Sequence, residues 1–166
     1  LGDEKTRSQA YQAWAVHFPN DFLPLYRQAS DLADRFETEA AVRLYTQALE
    51  REEYFGIHSE LGNEKMHLGR YTEVPSHIEA LERLKHPDQA QILRGRLAHL
   101  QGDTSQAIAY FYKASSTGST PWMYHARFLQ MDAEAEAGDF NAARKLAEQG
   151  RAEQASVSNR AWEAQW

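Results

Sequence analysis

The chain has 166 residues, 42% of them hydrophobic and 25% charged, which is enough apolar material for a domain with a core and too much for a disordered tail. The formal net charge of −6 is uneven, with 15 acidic against 9 basic side chains over residues 1–83 and 9 of each over 84–166; no basic stripe is available to neutralise phosphates, which argues against nucleic-acid binding. The chain has no cysteine, which excludes a disulfide framework, a Cys-based zinc site and a thiol nucleophile, and leaves open whether it works in the cytoplasm or the periplasm.

Ala, Leu, Glu, Gln and Arg dominate the segment interiors while Val, Ile and Thr are sparse, so helix is expected throughout and sheet almost nowhere. No apolar run reaches the length of a membrane span, and the N-terminus lacks the basic-then-apolar layout of a signal peptide. In chain order, Tyr11, Trp14, Phe18 and Pro19 read as the second helix and closing proline of a partial unit over 1–21. The unit over 22–54 places Leu25, Ala29 and Leu32 in a first helix and Ala41, Tyr45 and Ala48 in a second, joined by a turn at Phe36-Glu37-Thr38 that lacks glycine.

The unit over 55–87 carries Leu61 and Gly62, a break at Leu68-Gly69-Arg70-Tyr71, and then Val74, Ile78 and Leu81, with Pro75 in the first turn where its missing N–H costs little. The unit over 88–121 carries Gly95 and Ala98, the turn Gln101-Gly102-Asp103, and Ala107, Phe111 and Ala114. A fourth, over 124–157, has the turn Ala137-Gly138-Asp139-Phe140 followed by Ala143 and Ala147, and 158–166 reads as the opening of another first helix. Asp103 and Asp139 stand where helix N-caps are needed.

A period emerges from these segments. Ala41, Val74, Ala107 and Ala143 are separated by 33, 33 and 36 residues, and each is followed four residues on by Tyr45, Ile78, Phe111 or Ala147. Such a unit is too small to bury its own apolar face, so a fixed period of this size implies stacked repeats over 1–166. Both ends fall inside repeats and the chain begins at Leu1, which suggests a piece of a longer protein.

The pattern resembles the tetratricopeptide repeat, which has a bulky residue, Leu-Gly and a bulky residue in the first helix, and Ala, an aromatic and Ala in the second. His58 replaces the usual Trp and Lys65 the usual aromatic. The resemblance implies an all-α, right-handed superhelix of stacked antiparallel helix-turn-helix repeats, acting as a non-catalytic module that binds a peptide or partner protein on its concave face. Carried over position by position, it gives a groove of Tyr26, Ser30, Ser59, Asn63, Met66, His67, Ile92, Arg96, His99 and Phe128, with His125 and Asp132 as further members. The carboxylate clamp that some such repeats use on chaperone tails is incomplete, because Ser59, Gln89 and Leu93 stand where basic residues are expected beside Asn63.

The run Tyr-x-x-Trp-x-x-x-Phe-Pro-x-Asp from Tyr11 to Asp21 is similar to arrays attached to bacterial eukaryotic-type Ser/Thr kinases and to some transcription regulators, which implies recruitment or sensing for an effector. Other readings are self-assembly through open repeat ends, with Trp162 and Trp166 exposed, and ligand sensing by the histidines. No two of the seven histidines lie three or four residues apart, so no single helix presents a ligand pair. With no nucleophile elbow, phosphate loop or dinucleotide fingerprint, neither an enzyme nor a cofactor or metal site is expected.

Overall fold

The computed structural model describes the backbone of residues 4–117 and 120–163 and the side chains of 6–117 and 121–153. The described residues form nine α-helices and no strand: α1 (Glu4–His17), α2 (Leu23–Ala33), α3 (Thr38–Arg51), α4 (Phe55–His67), α5 (Val74–Arg83), α6 (Pro87–Leu100), α7 (Thr104–Thr117), α8 (Thr120–Glu136) and α9 (Phe140–Glu163), with a 3-10 turn at Tyr71–Glu73 before α5. The helices pair in sequence as α2 with α3, α4 with α5, α6 with α7 and α8 with α9. They are packed as two compact units, Leu1–His86 and Pro87–Trp166, divided within one residue of the repeat boundary expected at 87/88.

The turns between paired helices show why the period is legible. The connection after α2 turns on Phe36, after α4 on Gly69, after α6 on Gly102 and after α8 on Gly138, with φ of 61°, 69°, 84° and 88°. These four left-handed residues recur at the same 33, 33 and 36 spacing as the small residues of the second helices. Three are glycines, which enter that region without a Cβ penalty. Phe36 enters it with a side chain and points almost wholly into solvent, at 89% exposure.

Asp103 and Asp139 accept from the backbone N–H of Gln106 at 3.0 Å and of Ala142 at 2.9 Å, satisfying donors that open α7 and α9. Asp21 does the same for Leu23 at 2.9 Å. Helix α3 starts at Thr38, and its N-cap residue Glu37 makes no side-chain cap.

In the first unit the core gathers Leu25, Ala29, Ala41, Tyr45, Ala48, Ile57 and Leu61. An aromatic chain lies along it: Tyr26 sits 5.6 Å from Tyr45 and 5.9 Å from Tyr54, and Phe22 sits 5.3 Å from Tyr54. In the second unit Phe111 packs with Ala98, Ala107 and Ala133, and burying a ring of that size contributes roughly 1.5–3 kcal/mol. Gly95 makes room for it, since a Cβ there would lie 2.6 Å from Phe111 Cδ1.

Two boundaries differ from the sequence reading. Helix α8 begins at Thr120, four residues before the expected 124, because Pro121 falls in its first turn, where a missing N–H is harmless. Helix α9 runs unbroken from Phe140 to Glu163. It passes Gly150 without a proline or turn signal in a stretch rich in Ala, Glu, Gln and Arg, so the expected new helix over 158–166 has no separate start among the described residues. The Trp162 side chain and Trp166 lie outside the described residues, and so does their expected exposure.

Candidate partner-binding faces

In the first unit the face expected from α2 and α4 is largely polar. Tyr26 is drawn into the aromatic chain, and burial, reinforced by Glu60, pushes its phenol up to about 12. Ser30 ties α2 to α3: its hydroxyl donates to the Tyr26 carbonyl at 3.0 Å and lies 3.1 Å from the Tyr45 hydroxyl, so the latter is the donor between them. The same seam raises the Tyr45 pKa through burial, with the Ser30 contact opposing.

Met66 is buried at 4% exposure and is covered rather than offered to a ligand. Ser59 and Asn63 are partly buried, and His67 is exposed, with its Nδ1 3.5 Å from the Glu64 carboxylate.

In the second unit the face formed by α6 and α8 is different. Ile92 is buried against Ala114 and Ala126, under the partly buried Trp122, and is a packing residue. Arg96 on α6 reaches His125 on α8, with Nη2 and Nε2 3.4 Å apart. Burial, together with the Arg96 charge, lowers the His125 pKa, so the imidazole is neutral and its Nε2 accepts from the guanidinium. Three residues along α6, His99 Nε2 lies 3.1 Å from Glu136 of α8.

Between these two contacts along α8 stand Phe128, 55% exposed, and Asp132, also exposed. One turn before Phe128 is Tyr124, itself exposed, with the Arg127 guanidinium 6.0 Å over its ring. Arg127 is in turn held by Glu153 of α9 at 2.6 Å. Trp122 meets the His125 ring edge-on, 6.4 Å between centroids. The α6 and α8 residues Arg96, His99, His125, Phe128 and Asp132 therefore lie on one face of this unit.

The repeat pattern does not single out Tyr124, which it marks only as the start of a unit, although the four-residue spacing to Phe128 is visible in the sequence. Nor does it pick out Trp122 as a neighbour of His125. Among the described residues no three or more His, Asp or Glu are grouped to hold a metal ion, and no helix is long and apolar enough to cross a membrane.

The overlap with known folds is consistent with these pairings. A thermophilic tetratricopeptide-repeat protein from Thermus thermophilus matches with a TM-score of 0.74 at 17% identity, over 86% of this chain and 78% of that one. The chain has the tetratricopeptide-repeat fold. A tetratricopeptide repeat protein from Parabacteroides merdae matches with a TM-score of 0.71 at 18% identity, over 86% of this chain and 56% of that one. The fragment of MamA from residue 41 to the end, from Desulfovibrio magneticus RS-1, matches with a TM-score of 0.62 at 18% identity, over 90% and 84%. At such identities the likeness concerns the fold. No family model and no curated protein matches the sequence.

Proposed function

We propose that the chain is a non-catalytic interaction module that binds a peptide or partner protein through the first helices of its repeats, with the α6 and α8 face of the second unit as the main anchor. The observation that carries this reading is the exposed pair Tyr124 and Phe128 on α8, one turn apart, beside the Arg96–His125 contact. Exposed aromatic area next to a directed cation is the composition of surfaces that dock peptides. The neutral His125 accepts from Arg96 and orients its guanidinium, and an acidic group on the ligand gains a charge-assisted bond there.

Ser59, Asn63 and His67 form the corresponding polar face of the first unit, and Tyr26, Ser30, Met66 and Ile92 support the helices from within. The run from Tyr11 to Asp21 supports a place beside the effector of a larger bacterial regulatory protein.

The test is site-specific photo-crosslinking in the native cell. A benzoyl-phenylalanine at position 128 is expected to give a discrete adduct with another protein. The same probe at Tyr112, an equally exposed aromatic on α7, is expected to give none. An adduct at 112 and none at 128 would move binding to the second helices. An adduct whose mass is twice that of the chain, together with concentration-dependent mass in solution, would turn the module into a self-assembly surface.

A further inference from the structure

The hairpin of α4 and α5 contains a buried pair that neither the fold nor the proposed binding needs. His58 of α4 and His77 of α5 are each 6% exposed. Their Nδ1 atoms lie 3.0 Å apart across the seam, with ring planes tilted at 49°. A hydrogen bond between two Nδ1 atoms requires one to carry a proton and the other to present a lone pair. His58 Nε2 stands at ion-pair distance, 3.4 Å, from the Glu53 carboxylate without a hydrogen bond to it, so the electrostatically favoured arrangement puts the His58 proton on Nε2 toward Glu53, and has His58 Nδ1 accept from His77 Nδ1–H. His77 Nε2 is then a bare lone pair, buried and without a partner among the described residues.

We propose that this pair is an acid-sensitive latch, which holds α4 to α5 while at least one of the two imidazoles is neutral and releases the hairpin when both are protonated. A first added proton can be carried: His58 becomes an imidazolium beside Glu53, and its Nδ1–H donates to His77, which moves its own proton to Nε2. A second cannot, because both Nδ1 atoms would then carry hydrogens aimed at each other at 3.0 Å.

The carboxylates facing the pair, Glu53 beside His58 and Glu73 beside His77, offset only part of an added charge because each is already engaged by a cation. Glu53, from the connection between α3 and α4, already pairs with Arg83 of α5. Glu73, in the 3-10 turn, already pairs with Lys65 of α4 at 3.0 Å. Lys65 and Arg83 add positive charge to the seam. Burial, followed by Lys65 and then His58, lowers the His77 pKa to about 4. Burial lowers that of His58 as well, against the opposing pull of Glu53.

The sign follows from linkage. A histidine of the unfolded chain charges near pH ~6.5, well above its folded counterpart here, so the unfolded state binds more protons between about 6.5 and about 4. Stability is therefore full above that window and falls as pH drops through it. The apolar residues uncovered by release are Ile57, Leu61, Ile78 and Leu81, all buried in the closed hairpin.

The experiment is hydrogen exchange by mass spectrometry on the whole chain at pH 7.5 and 5.0, corrected for intrinsic exchange, with melting followed at both values. Expected are at least tenfold faster corrected exchange in α4 and α5 at the lower pH, no such change in α2 and α3, and a melting temperature lower by about 5 °C. His77→Gln keeps a polar side chain but cannot titrate, and it should remove most of the fall. His67→Gln, at an exposed histidine, should leave the fall intact. Uniform exchange across the helices, or a full fall retained in His77→Gln, would overturn the latch. If His77→Gln does not fold, the wild-type exchange pattern alone decides.

Discussion

The two units build the same hairpins but finish their surfaces differently. In the first, the apolar members of the expected face are turned inward: Tyr26 joins the aromatic chain and Met66 is covered, leaving the partly buried Ser59 and Asn63 and the exposed His67. In the second, Ile92 is turned inward but Phe128 and Tyr124 are not, and the same helices carry the Arg96–His125 and His99–Glu136 contacts. Repeat position fixes where a residue sits on the helix. Whether it is available is decided by the bulk of its neighbours, because a large aromatic a turn away can cover it or be covered by it.

The seams differ in the same way. At equivalent positions the α4–α5 hairpin has Gly62, Val74 and Ile78, and the α6–α7 hairpin has Gly95, Ala107 and Phe111. The first seam holds a polar histidine pair and the second a phenylalanine over a glycine. The largest expected effect lies in that apolar seam. Gly95→Leu drives a branched side chain onto Phe111, which is 2% exposed and has nowhere to go. Destabilisation of about 3 kcal/mol or more is expected from urea unfolding. An equally stable variant would mean that α6 and α7 do not cross closely at Gly95.

On the binding faces, Phe128→Ser is expected to weaken a captured partner by about 2 kcal/mol, the cost typical of losing an aromatic anchor, with the helical circular dichroism unchanged. Arg96→Glu should weaken it about tenfold, or ~1.4 kcal/mol, and the loss should shrink at high salt if the ligand group is acidic. Asn63→Ala, on the polar face, should change affinity by less than either. A reversal of that order, seen by calorimetric titration, would make the first unit the anchor.

The smallest effect concerns the turns. Phe36→Gly removes a left-handed strain worth about 1–2 kcal/mol, partly offset by the greater freedom of glycine in the unfolded chain, so a gain of about 0.5–1 kcal/mol is expected. A loss would show that the exposed ring makes a contact worth more than its backbone strain.

The architecture was legible because its signals are local and periodic. Ala41, Val74 and Ala107 are wholly buried at 33-residue intervals, and Asp103 and Asp139 cap the helices they were expected to cap. Phe36 shows the limit of such signals, since it occupies the turn position of a glycine without looking like one. The His58–His77 pair was invisible because its members lie 19 residues apart on two helices, and a search for pairs at helical spacing sees only one helix at a time. The face residues were the least legible: Met66 and Ile92 were expected on the binding face, and here they are buried. The start of α8 was misplaced because the Ser/Thr run before Pro121 reads as turn until the proline is recognised as a first-turn residue.

The central claim is that the second unit, through α8, carries the partner. Its most direct measurement is the comparison of photo-crosslinking yields with the probe at positions 124 and 128 of α8, 63 and 67 of α4, and 112 of α7, in one native-cell experiment. The account predicts an adduct at 128 and 124 that is stronger than any at 63 and 67, and none at 112. An adduct strongest at 63 or 112 and missing at 128 would contradict it.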